Sequence, residues 1–327
     1  MGFLLLAFLQ GIMALIQPLN SQIYVIMEKK IRNREVYMNR IVSISGKLKY
    51  TGLLGLPMFF SDAPIWKYFW LFWLFAFVEI FSSFSIFVQS LQQLIAIPYI
   101  YLSHGFRLPD QNNYQPAIRY SLPFSGEWTA VNGGPDKETS HSWSILTQRY
   151  AYDFLILDDN GQSCSDDKTL LPNYYCYGKE VLAPADGVVV EAMDKYPDSR
   201  TYGNGSVDHA AKDIRGNYIV IRHAAKEYSL LAHLLPHSIK VQAGRQVKRG
   251  EPIALCGNSG NTTEPHIHFQ IQDGQSFLAS AGLPISFEGI EAKPAENYAK
   301  FDPRPASEQK ERDTSRIQRG SCVGNME

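Results

Sequence analysis

The chain has 327 residues and a formal net charge of −1, with 45% hydrophobic and 19% charged residues. That balance hides a division: residues 1–105 hold 8 Lys/Arg against 4 Asp/Glu, and the remainder holds 23 against 28. An apolar, mildly basic N-terminal third ahead of a mixed, mildly acidic remainder does not look like a nucleic-acid binder, and the length exceeds one ordinary domain.

Residues 2–19 (GFLLLAFLQGIMALIQPL) carry no charge. They reach the lower limit for a membrane-spanning helix. A cleaved signal peptide fits less well, because no Lys or Arg precedes the run. Residues 68–88 (YFWLFWLFAFVEIFSSFSIFV) form a second run whose single charge is Glu79. A helix apolar on every face reads as a span, with Glu79 as a helix-packing residue. Between the runs stand Lys29, Lys30, Arg32, Arg34, Arg40, Lys47 and Lys49. Positive charge near span ends stays in the cytoplasm. The expected layout is therefore a first transmembrane helix (1–27), a cytoplasmic basic loop (28–66), and a second transmembrane helix with an interfacial segment (67–105). Everything beyond is expected on the periplasmic or extracellular side of the membrane.

From about residue 115 the pattern changes to short apolar runs broken by Gly, Pro, Asn and Asp, which predicts many short strands. Asp186-Gly187 inside VLAPADGVVVEA predicts a tight hairpin. Residues 217–222 (NYIVIR) and 228–235 (YSLLAHLL) predict a strand pair, and 243–255 predicts a hairpin turning at Arg249-Gly250. Residues 266–271 (HIHFQI) predict a strand. The two Gly-containing hairpins faintly echo biotinyl and lipoyl carrier domains, with Lys248 at a tip, but that reading leaves the histidines unexplained. The expected domain runs over 115–290, and the polar 291–327 reads as a disordered tail. Cys164, Cys176, Cys256 and Cys322 form no CxxC pair; in an exported domain the first two are candidates for a local disulfide.

Of eight histidines, His266 and His268 are the most informative. Residues two apart on a strand share a face, and a Gly/Asn/Ser/Thr loop (GNSGNTTEP) leads directly into them. His233 interrupts SLLAHLL, where taken alone it reads as a core histidine bonded to backbone. His223 reads as a strand-end residue, and His209 and His237 as solvated. Asp153 interrupts YAYDFLIL, where a carboxylate needs a partner or a metal. A hairpin of 141–145 with 149–153 would set His141 opposite Asp153, about 5 Å between β-carbons.

QRYAYD (148–153), GKEVLAPADGVVV (178–190), NYIVIRH (217–223), LLAHL (230–234) and GRQVKRGEPIALCGNSGNTTEPHIHFQ (244–270) together resemble the lysostaphin-type zinc metalloendopeptidases. The resemblance covers roughly residues 130–290. It implies a mainly β, antiparallel barrel-sandwich-like peptidase domain preceded by transmembrane helices. It also implies Zn2+ held by a His, Asp153 and His268, with His233 and His266 as unligated catalytic histidines. Where the family's first His normally stands, four residues before Asp153, this chain has Arg149, which cannot ligate zinc. His141 is the substitute that the hairpin argument supplies. The implied substrate is peptide cross-links of peptidoglycan. The alternatives are a metal-free domain that activates another cell-wall hydrolase, and a membrane sensor whose soluble domain only recognises a ligand.

Overall fold

The computed structural model describes Tyr37, residues 40–304 and residues 317–326. The expected first span at 1–27 lies outside them. The chain divides into two compact units, one ending at Ser82 and one beginning at Ser83.

In the first unit, the stretch expected as a basic loop is helical: α1 (residues 40–48) runs on into a 3-10 helix, Lys49–Phe59. Helices α2 (Ile65–Phe69) and α3 (Phe75–Ser82) are joined by a 3-10 turn. Gly52 and Gly55 lie so close to Trp73 and Trp70 that a β-carbon on either would sit 2.5 or 2.6 Å from an indole nitrogen. Glu79, the lone charge in the apolar run, pairs with Lys49, which offsets the cost of a carboxylate among apolar side chains.

The second apolar run is not one span over 68–88 with an interfacial sequel. The helix breaks at Ser83 (φ −121°, ψ 39°), and α4 (Phe84–Ser103) follows. Both Ile65–Ser82 and Phe84–Ser103 are long and apolar enough to cross a membrane, by length and composition alone.

The second unit is built on an antiparallel sheet. Its strands are β1 (Trp128–Asn132), β2 (Tyr152–Leu155), β4 (Gly187–Met193), β5 (Asn217–Ala224), β6 (Glu227–Leu234), β7 (Gln246–Val247), β9 (Ile267–Gln272), β10 (Gly282–Leu283), β11 (Ile290–Pro294) and β12 (Ser321–Asn325), and a separate pair joins β3 (Glu180–Leu182) to β8 (Pro252–Leu255). The order across the large sheet is β11-β12-β1-β2-β9-β6-β5-β4-β7, with β10 beside β9. Period-2 alternation sorts the central strands onto two faces. Tyr152, Phe154, Ile219, Ile221, Leu231, Ile267, Phe269 and Ile271 pack into the main core. Tyr218, Val220, Leu230 and Ala232 form a smaller cluster with Phe277.

Strands β5 and β6 pair as expected, but the two Gly-centred hairpins do not form. Strand β3 pairs with β8, and β4 pairs with β5 and β7. Gly187 lacks the left-handed φ that a two-residue hairpin turn needs. Instead the two tips are tied together: Asp186 accepts the Arg249 N–H at 2.9 Å and pairs with Lys248 at 2.7 Å.

The expected disordered tail also needs correction. β11 and β12 pair in register from Ile290↔Asn325 to Pro294↔Ser321, and β12 continues onto β1. Buried Ile290, Ile317 and Val323 join the main core, so a few apolar residues in a polar stretch suffice to seat it. The residues between, 305–316, lie outside the described ones. The expected Cys164–Cys176 bridge is absent, because all four cysteines are free. The Cys176 thiol donates to Pro265 O at 3.1 Å, while the Cys164 thiol turns to Asp166 O at 3.6 Å.

Candidate active site

Asp153 in the middle of β2 points away from the main core, because its neighbours Tyr152 and Phe154 point into it. Strand register sets it directly opposite His268, and sets His268 opposite Ala232. His233 follows at the end of β6, and His266 immediately precedes β9. The pleat thus brings Asp153, His233, His266 and His268 to one edge of one face.

His141 reaches the same place by a different route from the one expected. Residues 141–150 form successive turns rather than a hairpin arm, and it is Asn132 of β1 that lies opposite Asp153. Asn132 bridges the two: its amide donates to Asp153 Oδ2 at 3.0 Å, and its Oδ1 accepts the His141 N–H at 2.8 Å. His141 Nδ1 then stands 3.7 Å from Asp153 Oδ2. Arg149 is engaged elsewhere. It donates to Trp143 O at 3.1 Å and lies over the Trp143 ring at 5.0 Å.

The hydrogen-bond partners fix the tautomers. His233 Nδ1–H donates to Ser259 O at 2.8 Å, and His266 Nδ1–H donates to Glu264 O at 2.8 Å. A carbonyl can only accept, so each ring keeps its proton on Nδ1 and its lone pair on Nε2. His266 Nε2 stands 3.6 Å from Asp153 Oδ1, and the rings of His233 and His266 are 4.6 Å apart. Burial, with the neighbouring His266 and His268, pushes the His233 pKa well down, which keeps that ring neutral.

His268 is held differently. The Gln270 amide donates to Thr147 O at 3.1 Å and to Gln272 Oε1 at 2.6 Å, so Gln270 Oε1 accepts His268 Nε2–H at 2.9 Å. Nδ1 of the same ring lies 2.9 Å from Asp153 Oδ1. Both ring nitrogens therefore face acceptors. Burial works against the charged ring, but the bond to Asp153 outweighs it and raises the His268 pKa. Burial likewise opposes ionisation of Asp153, but the bond from His268, with His266 and His141 nearby, holds its carboxyl well below the usual range. Burial lowers the His141 pKa against the pull of Asp153.

His233 has a left-handed backbone (φ 62°), a strain that a surrounding structure must enforce. Gly216 helps to enforce it. Its φ is +64°, and a β-carbon there would fall 2.2 Å from the Ser259 carbonyl carbon. That close approach seats loop 258–261 under His233, with Ser259 Oγ accepting the Asn217 N–H and donating to Leu234 O.

The five side chains line a cleft of about 400 Å³, with Ser90 and Gln93 of α4 also in its lining. Of the remaining histidines, His223 is tied to Asp186 O and Ser229 Oγ, each at 2.8 Å. His237 is not at the site; its N–H donates to Asp194. His209, expected to be solvated, bonds Ser83 Oγ at 2.8 Å.

Among the described residues, no three His, Cys, Asp or Glu side chains stand as a ready-made metal centre; Asp153 and His268 hydrogen-bond to each other instead. Their chemistry nonetheless fits a divalent cation. His268 Nδ1 and Asp153 Oδ1 are two acceptors held together by a proton, and a metal replaces such a proton when it binds. Gln270 fixes His268 from behind, as an outer partner fixes a metal-bound imidazole. Asn132, Gln270 and Ser259 were not singled out from the sequence. The spacing of Gln270, two residues after His268 and on the same face, is the one signal that marks any of them.

The family model for Peptidase family M23 matches residues 174–279, which include His233, His266 and His268 but not His141 or Asp153. An uncharacterized metalloprotease of Haemophilus influenzae is 36% identical over 93 residues, 28% of this chain and 16% of that protein. The peptidoglycan DD-endopeptidase ShyB of Vibrio cholerae is 45% identical over 73 residues, 22% of this chain and 17% of that protein. The chain thus spans less than a fifth of the length of these two relatives. Among solved structures, the catalytic domain of lysostaphin from Staphylococcus simulans aligns at 21% identity and a TM-score of 0.27, over 52% of this chain and 90% of that one. The motif resemblance and the family match agree, and the chain carries a domain of Peptidase family M23.

Proposed function

We propose that this protein is a membrane-anchored zinc endopeptidase that cuts peptide cross-links of bacterial peptidoglycan. The observation that carries the reading is the convergence of Asp153 and four histidines on one cleft, with the ring protons of His233, His266 and His268 fixed by their partners. The peptidoglycan substrate follows from the relatives' names, ShyB and ShyA among them. The peptidase domain occupies about 115–290 with β12 added to it. Apolar helices ahead of it anchor it, with the cleft on the exported face of the membrane.

His141, Asp153 and His268 would hold the zinc: two neutral nitrogens and one carboxylate, a donor set that suits this cation. When bound, the metal lowers the pKa of a coordinated water toward neutrality and polarises the scissile carbonyl. His233 and His266 both present an unprotonated Nε2 to the cleft. One accepts the proton of the attacking water on Nε2, and the imidazolium so formed steadies the developing oxyanion and passes that proton to the leaving amine, while the other ring accepts a hydrogen bond that orients the water. Their Nδ1–H bonds to Ser259 O and Glu264 O hold the rings in place throughout.

Metal analysis of the purified chain and digestion of purified peptidoglycan test the proposal together. One equivalent of zinc and release of soluble peptide fragments are expected. A metal-free protein that binds peptidoglycan without cutting it would instead support the hydrolase-activating alternative.

A further inference from the structure

Beside the catalytic cleft lies a second recess of about 230 Å³, and Thr263 lines both. The charged side chains of its lining are Lys168, Lys300 and Glu264. Glu264 is also the residue whose carbonyl holds the His266 ring, so the recess and the proposed acid–base pair share one short stretch of chain. The two lysines come from opposite ends of the peptidase unit. Lys168 stands in the loop between β2 and β3, and Lys300 in a single turn of helix, α5 (Tyr298–Phe301). Both fall outside residues 174–279, the stretch that the family model matches, so segments flanking that stretch on either side meet at the recess.

The fold seats both lysines. Buried Tyr298 donates to Val131 O of β1 at 3.0 Å, which ties α5 to the sheet. The buried Tyr174 ring lines the recess, and its hydroxyl donates to Lys168 O at 2.8 Å. Each lysine stem also rests on a glycine of the recess wall: a β-carbon on Gly161 would fall 3.0 Å from Lys300 Cβ, and one on Gly203 would fall 2.8 Å from Lys168 Cβ.

The charges do not cancel. Glu264 Oε2 already accepts the Ser163 hydroxyl at 2.6 Å. Asp158, whose carboxyl the Lys300 charge helps to lower after its backbone hydrogen bonds, is already bonded by the Asn160 and Gln162 N–H groups. Among the described residues the lysines in ion pairs are Lys49, Lys240, Lys248 and Lys293; Lys168 and Lys300 are not. Two ammonium groups against one carboxylate leave the recess positive.

We propose that this recess is a subsite for a free carboxylate of the substrate, paired with Lys168 and Lys300 while the neighbouring peptide bond lies in the catalytic cleft. The inference rests on the endopeptidase reading. Peptidoglycan stem peptides carry carboxylates that take no part in peptide bonds, so an anionic group lies close to each cross-link. Lysine suits the task, because its ammonium is a point charge on a flexible stem and can follow a carboxylate. The consequence is selectivity: a cross-link whose carboxylate is blocked as an amide forfeits both pairs.

The test uses the full chain in detergent micelles and two synthetic cross-linked peptides. They are identical but for one carboxylate beside the scissile bond, free in one and amidated in the other. The parent chain is expected to favour the free form about tenfold in kcat/KM, carried by KM, the scale of two partly exposed ion pairs. Lys168→Met combined with Lys300→Met should cut the amidated peptide at the parent's rate and lose the preference, and the corresponding pair of arginine substitutions should keep it. Sodium chloride at about 1 M should shrink the parent's preference, because charges are then screened beyond about 3 Å. Equal kcat/KM for the two peptides in the parent overturns the subsite, as does a preference that survives the methionine pair. A loss that is equal on both peptides also overturns it and makes the lysines structural. Binding of the same peptides to the His233→Ala chain is read by titration calorimetry. A tenfold difference in Kd there, with no cutting by the parent, leaves the subsite standing and removes the peptidase reading.

Discussion

Two buried carboxylates in the catalytic unit have opposite surroundings. Asp153 is 8% exposed and Glu227 is 4% exposed. Glu227 at the start of β6 accepts the Tyr114 and Tyr120 hydroxyls at 2.6 and 2.9 Å, and the N–H groups of Ala117 and Ile118 at 2.5 and 3.1 Å. Four neutral donors saturate it, and it pins residues 114–120 to the start of the interior strand β6. Burial, followed by the adjacent Glu227 charge, pushes the Tyr120 phenol far up, so that donor never leaves. Asp153 faces three imidazoles and opens on a cleft. Burial of a charge alone therefore does not mark a catalytic site. The mark is partners that can themselves exchange protons or bind a cation, next to space for a substrate.

The comparison is broken most severely at the proposed metal ligands. His141→Ala, Asp153→Ala and His268→Ala should each leave the purified protein without zinc by elemental analysis and reduce peptidoglycan hydrolysis to background, because two protein ligands hold a catalytic zinc poorly. Normal zinc and turnover in His141→Ala would return the third-ligand position to open question. His233→Ala and His266→Ala should separate the two properties: zinc is retained, and turnover falls by about 10²- to 10⁴-fold, the usual scale of acid–base help.

Glu227→Ala should show the reverse pattern. It leaves the buried Tyr120 hydroxyl and three part-buried donors without their acceptor, and a buried donor left unpaired costs about 1–3 kcal/mol. Thermal unfolding should shift down by several degrees or more, while zinc content and turnover of the protein that remains folded stay close to normal. Loss of zinc in a folded Glu227→Ala protein would mean the two carboxylates are coupled. Arg149→Ala should have the smallest effect. It forfeits a stack on Trp143 worth roughly 0.5–1 kcal/mol, with zinc retained. A drop in the Michaelis constant's reciprocal without change in metal content would place Arg149 in substrate binding.

Much of the site was legible because its signals are local. The HxH pair sits at strand spacing, Asp153 breaks an apolar run, and His233 does the same in β6; each is a polar residue where period and composition demand an apolar one. The placement of His141 was legible only in outcome. Proximity to Asp153 was expected from a hairpin that does not exist, and it arises through Asn132 on a strand that no local pattern connects to residue 141. His209 was misread because its partner, Ser83, lies 126 residues away.

The sequence by itself determined the strand-rich core, the apolar helices ahead of it, and the residue types gathered at the site, because alternation, apolar run length and misplaced polar residues are properties of short stretches of chain. Only the tertiary structure decided that the two Gly-centred tips pair with other strands, that residues 290–294 and 321–325 complete the sheet, that helix breaks at Ser83, and that α4 lines the cleft. Each of these depends on which distant segment satisfies a backbone edge or a carboxamide, and hydrogen-bonding groups on the main chain are the same at every residue. Local sequence therefore states that a partner is needed, and the packed fold alone selects which one.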